Sequence, residues 1–329
     1  LAAIDSWFKS NGSLPVNIKV LAEGEEECGS SGLDEFIKTY KKLIQSDAIV
    51  IVDADNFSAE VPGLTVSLRG LIAATVEIKT LKQPVHSGLL GGALPDAAMA
   101  LSKMLSSIVD EKGNLVISEV IQMGKSISDE QRKELRSLPF DKMKFREEVG
   151  LLNGIPLSGH EDDIRERMWF LPSFSINAMQ AGSRTQAGNI IVDSAWARIG
   201  IRTTADMDSK KVFSALKKHL EKNCPFGLKV EITEDSCGNW WKTKTDHEMF
   251  KKMERALSQG WGRHPIKMGC GASIPFVETF TNALNGAPAL LIGVCDHLTY
   301  AHSENESLNL EVWKKTVNSL IHFMGQFDV

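Results

Sequence analysis

The sequence predicts an α/β protein in which a split domain of strands and covering helices is interrupted by an antiparallel α+β insertion, and three observations predict it. Ala48–Val52 and Leu290–Val294 are short, continuous apolar runs of the kind buried on both faces of a sheet. Between them, after Pro62-Gly63, the pattern becomes a strict alternation, with Ile72, Ala74, Val76 and Ile78 on one face and Thr75, Glu77 and Lys79 on the other. Stripes at helical spacing, such as Leu33, Phe36, Ile37, Tyr40, Leu43 and Ile44, separate the strands.

Taken in order, Leu1–Phe8 reads as the middle of a helix, and Val16, Ile18 and Val20 as a strand. That strand ends in Glu23-Gly24-Glu25-Glu26-Glu27-Cys28-Gly29-Ser30. Four carboxylates so close repel one another, and a fold keeps them together when a positive charge, usually a metal, sits among them. A helix follows, and the run Ala48–Val52 ends in Asp53-Ala54-Asp55-Asn56. A right-handed strand-helix-strand crossover brings Glu26, Glu27 and Asp55 toward one sheet edge, where open α/β sheets carry their ligands.

The inserted region continues with an apolar helix stripe, Ala97, Leu101, Met104, Leu105 and Ile108, and a turn at residues 110–114 into Leu115-Val116-Ile117. Ser128 with Gln131 starts a capped helix in a charged surface stretch, about 129–167. Strand patterns return at Phe174–Ala178, at Ala195–Thr203 and at Leu228, Val230 and Ile232, with a helix near 209–223. Two strand-helix-strand halves make a ferredoxin-like sandwich. Trp240-Trp241 marks the return to the first domain. Met249, Phe250, Met253, Ala256 and Leu257 define one helix there, and Leu310, Trp313, Val317, Leu320, Ile321 and Met324 define the closing one. The expected domains are thus 1–68, an insertion 69–240, and 241–329.

Length and composition agree: 329 residues, 43% hydrophobic and 24% charged, leave room for two domains. A net charge of −5 gives no basic field for nucleic acid or anionic membrane. No apolar run reaches membrane-spanning length, and five cysteines with no C-x-x-C pair suit a reducing, cytoplasmic location and structural roles.

Four further spots carry chemistry. His86 lies in Pro84-Val85-His86-Ser87-Gly88, followed by Gly91-Gly92, whose spacing fits neither dinucleotide nor P-loop glycines. Gly271-Ala272-Ser273-Ile274-Pro275 joins small residues to a helix-starting proline, which permits close backbone approach to a ligand. Ala301-His302-Ser303-Glu304-Asn305-Glu306 follows the second buried strand. Asn189 sits in a loop and Arg202 on a strand face opposite Ile199 and Ile201.

In this order, and together with Leu68-Arg69-Gly70, these pieces resemble the dinuclear zinc peptidase family of carnosinase, cytosolic nonspecific dipeptidase, aminoacylase, glutamate carboxypeptidase and succinyl-diaminopimelate desuccinylase. The resemblance runs the whole chain and implies a three-layer catalytic domain with an inserted lid and dimerisation domain. It implies that Glu26 is the general base and Glu27 a metal ligand, with Asp55 on the second metal and His302 on the first. By the same resemblance His86 stabilises the oxyanion, Asn189 and Arg202 hold the substrate, and Gly271 and Ser273 add backbone contacts. Two divalent cations are implied, zinc first, with manganese or cobalt as alternatives. Hard oxygen donors and imidazole suit them.

The reaction so implied is hydrolysis of an amide bond in a dipeptide or short peptide. The alternatives are deacylation or desuccinylation of an N-acyl amino acid, or a catalytically dead, dimerising descendant. A homodimer through the lid is expected. The family's His-x-Asp and bridging Asp, which precede the acidic loop, have no counterpart here. His160-Glu161-Asp162 is no substitute, because no strand leads into it. The sequence therefore reads as N-terminally truncated, and the isolated chain is expected to bind metal weakly and to turn over nothing. Ala272 and Val192 stand where the family favours Gly and Pro.

Overall fold

The computed structural model describes residues 1–26, 30–185, 187–296, 298–301 and 303–327. Two compact units emerge, one formed by 1–68, 141–153 and 241–329, the other by 69–140 and 154–240.

The first unit opens with α1 (Ala2–Asn11), α2 (Leu33–Ile44), β1 (Ile49–Val52) and β2 (Gly63–Leu68). The second supplies β3 (Gly70–Lys79), β4 (Val85–His86), α3 (Ser87–Leu90), α4 (Ala97–Ser106), α5 (Ser118–Met123) and α6 (Asp129–Ser137). After α7 (Lys142–Glu148), which belongs to the first unit, come α8 (Ile164–Trp169), β5 (Ser173–Gln180), β6 (Ile190–Ile191), β7 (Ser194–Thr203), α9 (Ser209–Lys222) and β8 (Val230–Gly238). The chain closes with β9 (Trp241–Lys242), α10 (Glu248–Trp261), β10 (Ile266–Cys270), α11 (Pro275–Ala283), β11 (Ala289–Ile292) and α12 (Leu310–Met324).

The first unit is a three-layer α/β/α arrangement on a mixed sheet ordered β1-β11-β2-β10, with β9 on the end of β2. β1 and β11 are parallel and in register from Ile49 opposite Ala289 to Val52 opposite Ile292. β2 runs against β11, and β10 runs with β2. Leu290 and Ile292 face α10 and α12 in one core, while Ala289 and Leu291 face α11 in another, so the run is covered on both sides as its composition requires. Leu33 and Ile37 of α2 pack on Phe280 and Leu284, at and just beyond the end of α11.

The second unit is a ferredoxin-like sandwich. Its antiparallel sheet is ordered β5-β7-β3-β8. The alternation read in β3 is its cause: Ile72, Ala74, Val76 and Ile78 are fully buried with Leu101 and Met104 of α4 and Val212, Leu216 and Leu220 of α9. Beside this core the Arg132 guanidinium grips Glu166 with two bonds of 2.9 Å, joining α6 to α8. That pair is shielded, at 27% and 10% side-chain exposure, whereas Arg136–Asp163 between the same segments is open at 49% and 40%. A shielded bidentate pair leaves a stranded carboxylate when its arginine is removed, and an open pair does not. Arg132→Met is therefore expected to lower the thermal midpoint clearly more than Arg136→Met. Differential scanning calorimetry of the two variants decides it, and equal shifts would refute the ranking.

Three expectations need correction. Residues 16–20 form no strand: Val20 is 64% exposed and Ile18 also lies open. Among the described residues β1 pairs on one side only, with β11, and three alternating residues without a ladder cannot hold a strand. For the same reason β1 is covered on one face, with Ile51 buried and Val50 and Val52 exposed. On α12 the buried residues are Val312, Thr316, Ser319, Phe323 and Met324, so the expected stripe holds at Met324 but Leu310 and Trp313 lie exposed. The small residues win because α10 lies very close: a Cβ on Gly260 would come within 2.6 Å of the Ser319 backbone nitrogen.

Candidate active site

In the first unit the residues with chemistry gather where β1 and β11 end side by side. Asp55 forms a parallel bridge with Cys295. Asn56, 4% exposed, is the tie that holds this edge. Its Nδ2 donates to the carbonyls of Gly293 (2.9 Å) and Cys295 (3.1 Å), its Oδ1 accepts from Gly63 N–H (3.2 Å), and its own N–H donates to the Cys295 carbonyl (2.8 Å). Thr316 of α12 donates to the same Gly293 carbonyl at 3.0 Å. Three strand ends and a helix are thereby fixed around Asp55, by a residue whose importance has no signature in sequence.

The field at this edge is negative. Burial pushes the Cys295 thiol above its ordinary pKa, and the carboxylates of Asp55, Asp53, Glu306 and Asp296 push it further in the same direction. Asp296 is 4% exposed, and its Oδ2 is buried with no hydrogen-bond partner among the described residues. An orphaned carboxylate oxygen amid other carboxylates is the local chemistry a divalent cation relieves, so the donor set fits the implied metal. Among the described residues no three His, Cys, Asp or Glu side chains stand close enough to hold an ion by themselves. Glu27 and His302, the other expected ligands, lie outside the described residues.

Glu26 is half-buried in the acidic loop. The neighbouring acids bind the loop's own backbone: Glu23 Oε1 accepts from Glu25 N–H at 2.8 Å, and the Glu25 carbonyl accepts from Ser30 N–H at 2.9 Å. Gly271 and Ser273 follow β10, whose direction carries it to the sheet edge opposite Asp55; Ile266 lies beside Gly63 and Cys270 beside Leu68, about 16 Å further at ~3.3 Å per residue. The chain then folds onto the sheet face, and Ile274 enters the core cluster that contains Ile51 and Ala54.

In the second unit, two residues far apart in sequence meet. His86 on β4 pairs with Ile190 on β6, and Ser87 N–H donates to the Asn189 carbonyl at 2.9 Å. The His86 ring is exposed, and its Nδ1 accepts from Gly88 N–H at 3.0 Å. A neutral imidazole held that way carries its proton on Nε2, which leaves Nε2–H as the donor toward a ligand. Arg202 is elsewhere. It lies opposite Leu71 and Ser173 at the far end of β7, eight residues from Ser194, where β7 begins next to the hairpin. At ~3.3 Å per residue that separation is about 26 Å.

A model of the peptidase family M20/M25/M40 matches residues 1–326. The chain is 30% identical over 304 residues to the cysteinylglycine-S-conjugate dipeptidase of Corynebacterium striatum, covering 92% of this chain and 65% of that protein. It is 30% identical over 341 residues to the Cys-Gly metallodipeptidase DUG1 of Candida albicans, covering 99% and 68%. The solved structure of the di-peptidase Dug1p from Saccharomyces cerevisiae superposes with a TM-score of 0.85 at 28% identity, over 98% of this chain and 68% of that one. The chain thus spans about two thirds of the length of the relatives it matches.

Proposed function

The chain belongs to the peptidase family M20/M25/M40, and from that premise we propose that it acts in a metal-dependent dipeptidase, with Cys-Gly and related dipeptides as substrates. The observation that carries this reading is the carboxylate edge at the ends of β1 and β11, where Asp55 and an orphaned Asp296 oxygen share a field that asks for a cation.

Divalent cations held there, two zinc ions in this reading with manganese or cobalt as alternatives, supply Lewis acidity toward the scissile carbonyl and make water acidic near neutral pH. Asp55, Glu27 and His302 are the proposed ligands. Glu26 takes the proton of the attacking water and returns it to the leaving amine. His86 donates from Nε2 to the carbonyl oxygen as charge builds on it. Arg202 pairs with the substrate's terminal carboxylate in the two-bond geometry guanidinium favours, Asn189 adds a polar contact, and Gly271 and Ser273 add theirs from the turn that brings Ile274 back against Ile51 and Ala54.

His86 and Arg202 cannot both reach one dipeptide from the same chain by way of β7, because a dipeptide extends only about 7 Å. We therefore propose a homodimer in which one copy supplies His86 and Asn189 and the other Arg202. Among the described residues β5 pairs only with β7, and its outer edge, with Ile176 and Met179 exposed, is the strand we assign to that contact. The insertion 69–240 serves as lid and dimerisation domain. No helix among the described residues is long and apolar enough to cross a membrane.

The full-length polypeptide containing this sequence is expected to hydrolyse Cys-Gly, to lose that activity to a chelator, and to regain it with Zn2+ or Mn2+. Glu26→Gln should cost about 10²–10⁴-fold in kcat. Turnover that resists chelation, or that favours N-acetyl amino acids over dipeptides, would overturn the reading.

A further inference from the structure

Asp296 is the buried acid among those of this edge to which the proposed chemistry gives no work, and its surroundings pose a physical problem. A carboxylate as deeply buried as this one, 4% exposed, is costly unless both oxygens find partners. Among the described residues only Oδ1 does: it accepts from Leu298 N–H at 2.8 Å. The rest of the turn is closed by main-chain groups and Thr299, with Asp296 N–H donating to Thr299 Oγ1 and Thr299 N–H to the Asp296 carbonyl, each at 3.0 Å. An asparagine would close that turn equally well, since one acceptor oxygen is all the turn uses. The charge and the second oxygen are unexplained by the local fold.

The neighbourhood sharpens the problem. Cys295, one residue before, is bridged to Asp55, and Asn56 pins the Cys295 carbonyl from two sides. The Cys295 thiol feels the carboxylates of Asp55, Asp53 and Glu306 as well as that of Asp296. The orphaned oxygen therefore stands among like charges, where repulsion adds to the cost of burial.

We infer that Asp296 is a cation-holding carboxylate: Oδ2 faces a divalent cation bound beside Asp55 and contributes to the charge that retains it. This inference rests on the metal-centre reading of the β1–β11 edge. It also implies an order of events. Without metal, Asp296 destabilises the loop after β11; with metal, the same group secures it.

The test titrates Mn2+ into the metal-free full chain and its Asp296→Asn, Asp296→Ser and Asp55→Asn variants, following free Mn2+ by electron paramagnetic resonance and unfolding by calorimetry. Asp296→Asn and Asp296→Ser are expected to bind Mn2+ at least about 10-fold more weakly, the loss typical of removing a group that supports a metal ligand. Their metal-free thermal midpoints should equal or exceed that of the unmodified chain, because the orphaned charge is gone and the turn acceptor stays. A residue serving the turn alone would give the opposite pattern, unchanged Mn2+ affinity with a lowered or unchanged midpoint. Unchanged affinity in both Asp296 variants overturns the inference, as does a lowered metal-free midpoint for Asp296→Asn. If Asp55→Asn also binds Mn2+ unchanged, the metal-centre reading falls with it; if Asp55→Asn alone loses the ion, only the role of Asp296 falls.

Discussion

Mixtures of the His86→Ala and Arg202→Ala proteins are expected to recover activity that neither shows alone. Each substitution by itself should lower kcat/KM by about 10²–10³-fold, the usual loss when one donor to the developing charge is removed, with a comparable penalty for an unpaired substrate carboxylate. The recovery follows from the geometry of one strand. His86 and Asn189 are neighbours through β4 and β6, whereas Arg202 stands at the other end of β7. In a two-fold dimer whose sites draw on both copies, a mixed dimer has one site with both substitutions and one with neither. Random exchange makes half the dimers mixed, so about a quarter of the unmodified activity returns. Co-expression with two affinity tags and assay of the doubly tagged species measures it. If the mixed dimer stays inactive, both side chains serve the site of their own chain.

Gly293→Ala is expected to be the most destabilising single-atom addition in the first unit. A Cβ at this position would overlap the main-chain carbonyl of Ala54, which cannot swing away because Ala54 N–H is itself bonded to the Ile292 carbonyl. The only relief is to separate β1 from β11, and that breaks the Asn56 bonds to Gly293 and Cys295 together with the Thr316 bond. Overpacking against fixed backbone in this way costs more than about 3 kcal/mol. Urea unfolding followed by circular dichroism tests it. A midpoint within error of the unmodified protein would show that the two strands are not locked as described.

Much of this architecture is written in local pattern. The alternation of Ile72, Ala74, Val76 and Ile78 specifies a strand with one covered face whatever its neighbours, and the stripe Ala97, Leu101, Met104 specifies the helix that covers it. Patterns fail where burial depends on position within the sheet. Ala48–Val52 is as apolar as Leu290–Val294, yet one ends up at the margin and the other in the middle, a difference set by strand order. The closing helix misleads for a related reason: its large residues suggest the buried face, but where Gly260 approaches most closely the helix presents Ser319.

The candidate site divides in the same way. His86, Asp55, Asn189 and Arg202 stand out by residue type and by resemblance, but the pairing of His86 with the Asn189 segment and its distance from Arg202 are facts of topology. Asn56 as the tie of this edge, and Asp296 in the role inferred for it, carry no mark in the sequence. One looks like a polar strand end and the other like a turn aspartate, and only the partners of their side-chain atoms, or the lack of one, distinguish them.

Strand pairing also dictates when each part of the molecule can exist. Every strand of the inner sandwich is present once the chain has grown to Gly238, whereas β1 must wait for β11, which arrives about 240 residues after it. On a growing polypeptide the inner unit is therefore able to close first, with local unfolding of the outer sheet persisting until residues 289–292 emerge. The carboxylate edge around Asp55, Asn56 and Asp296 is assembled last, so nothing that binds there can assist the earlier stages of folding.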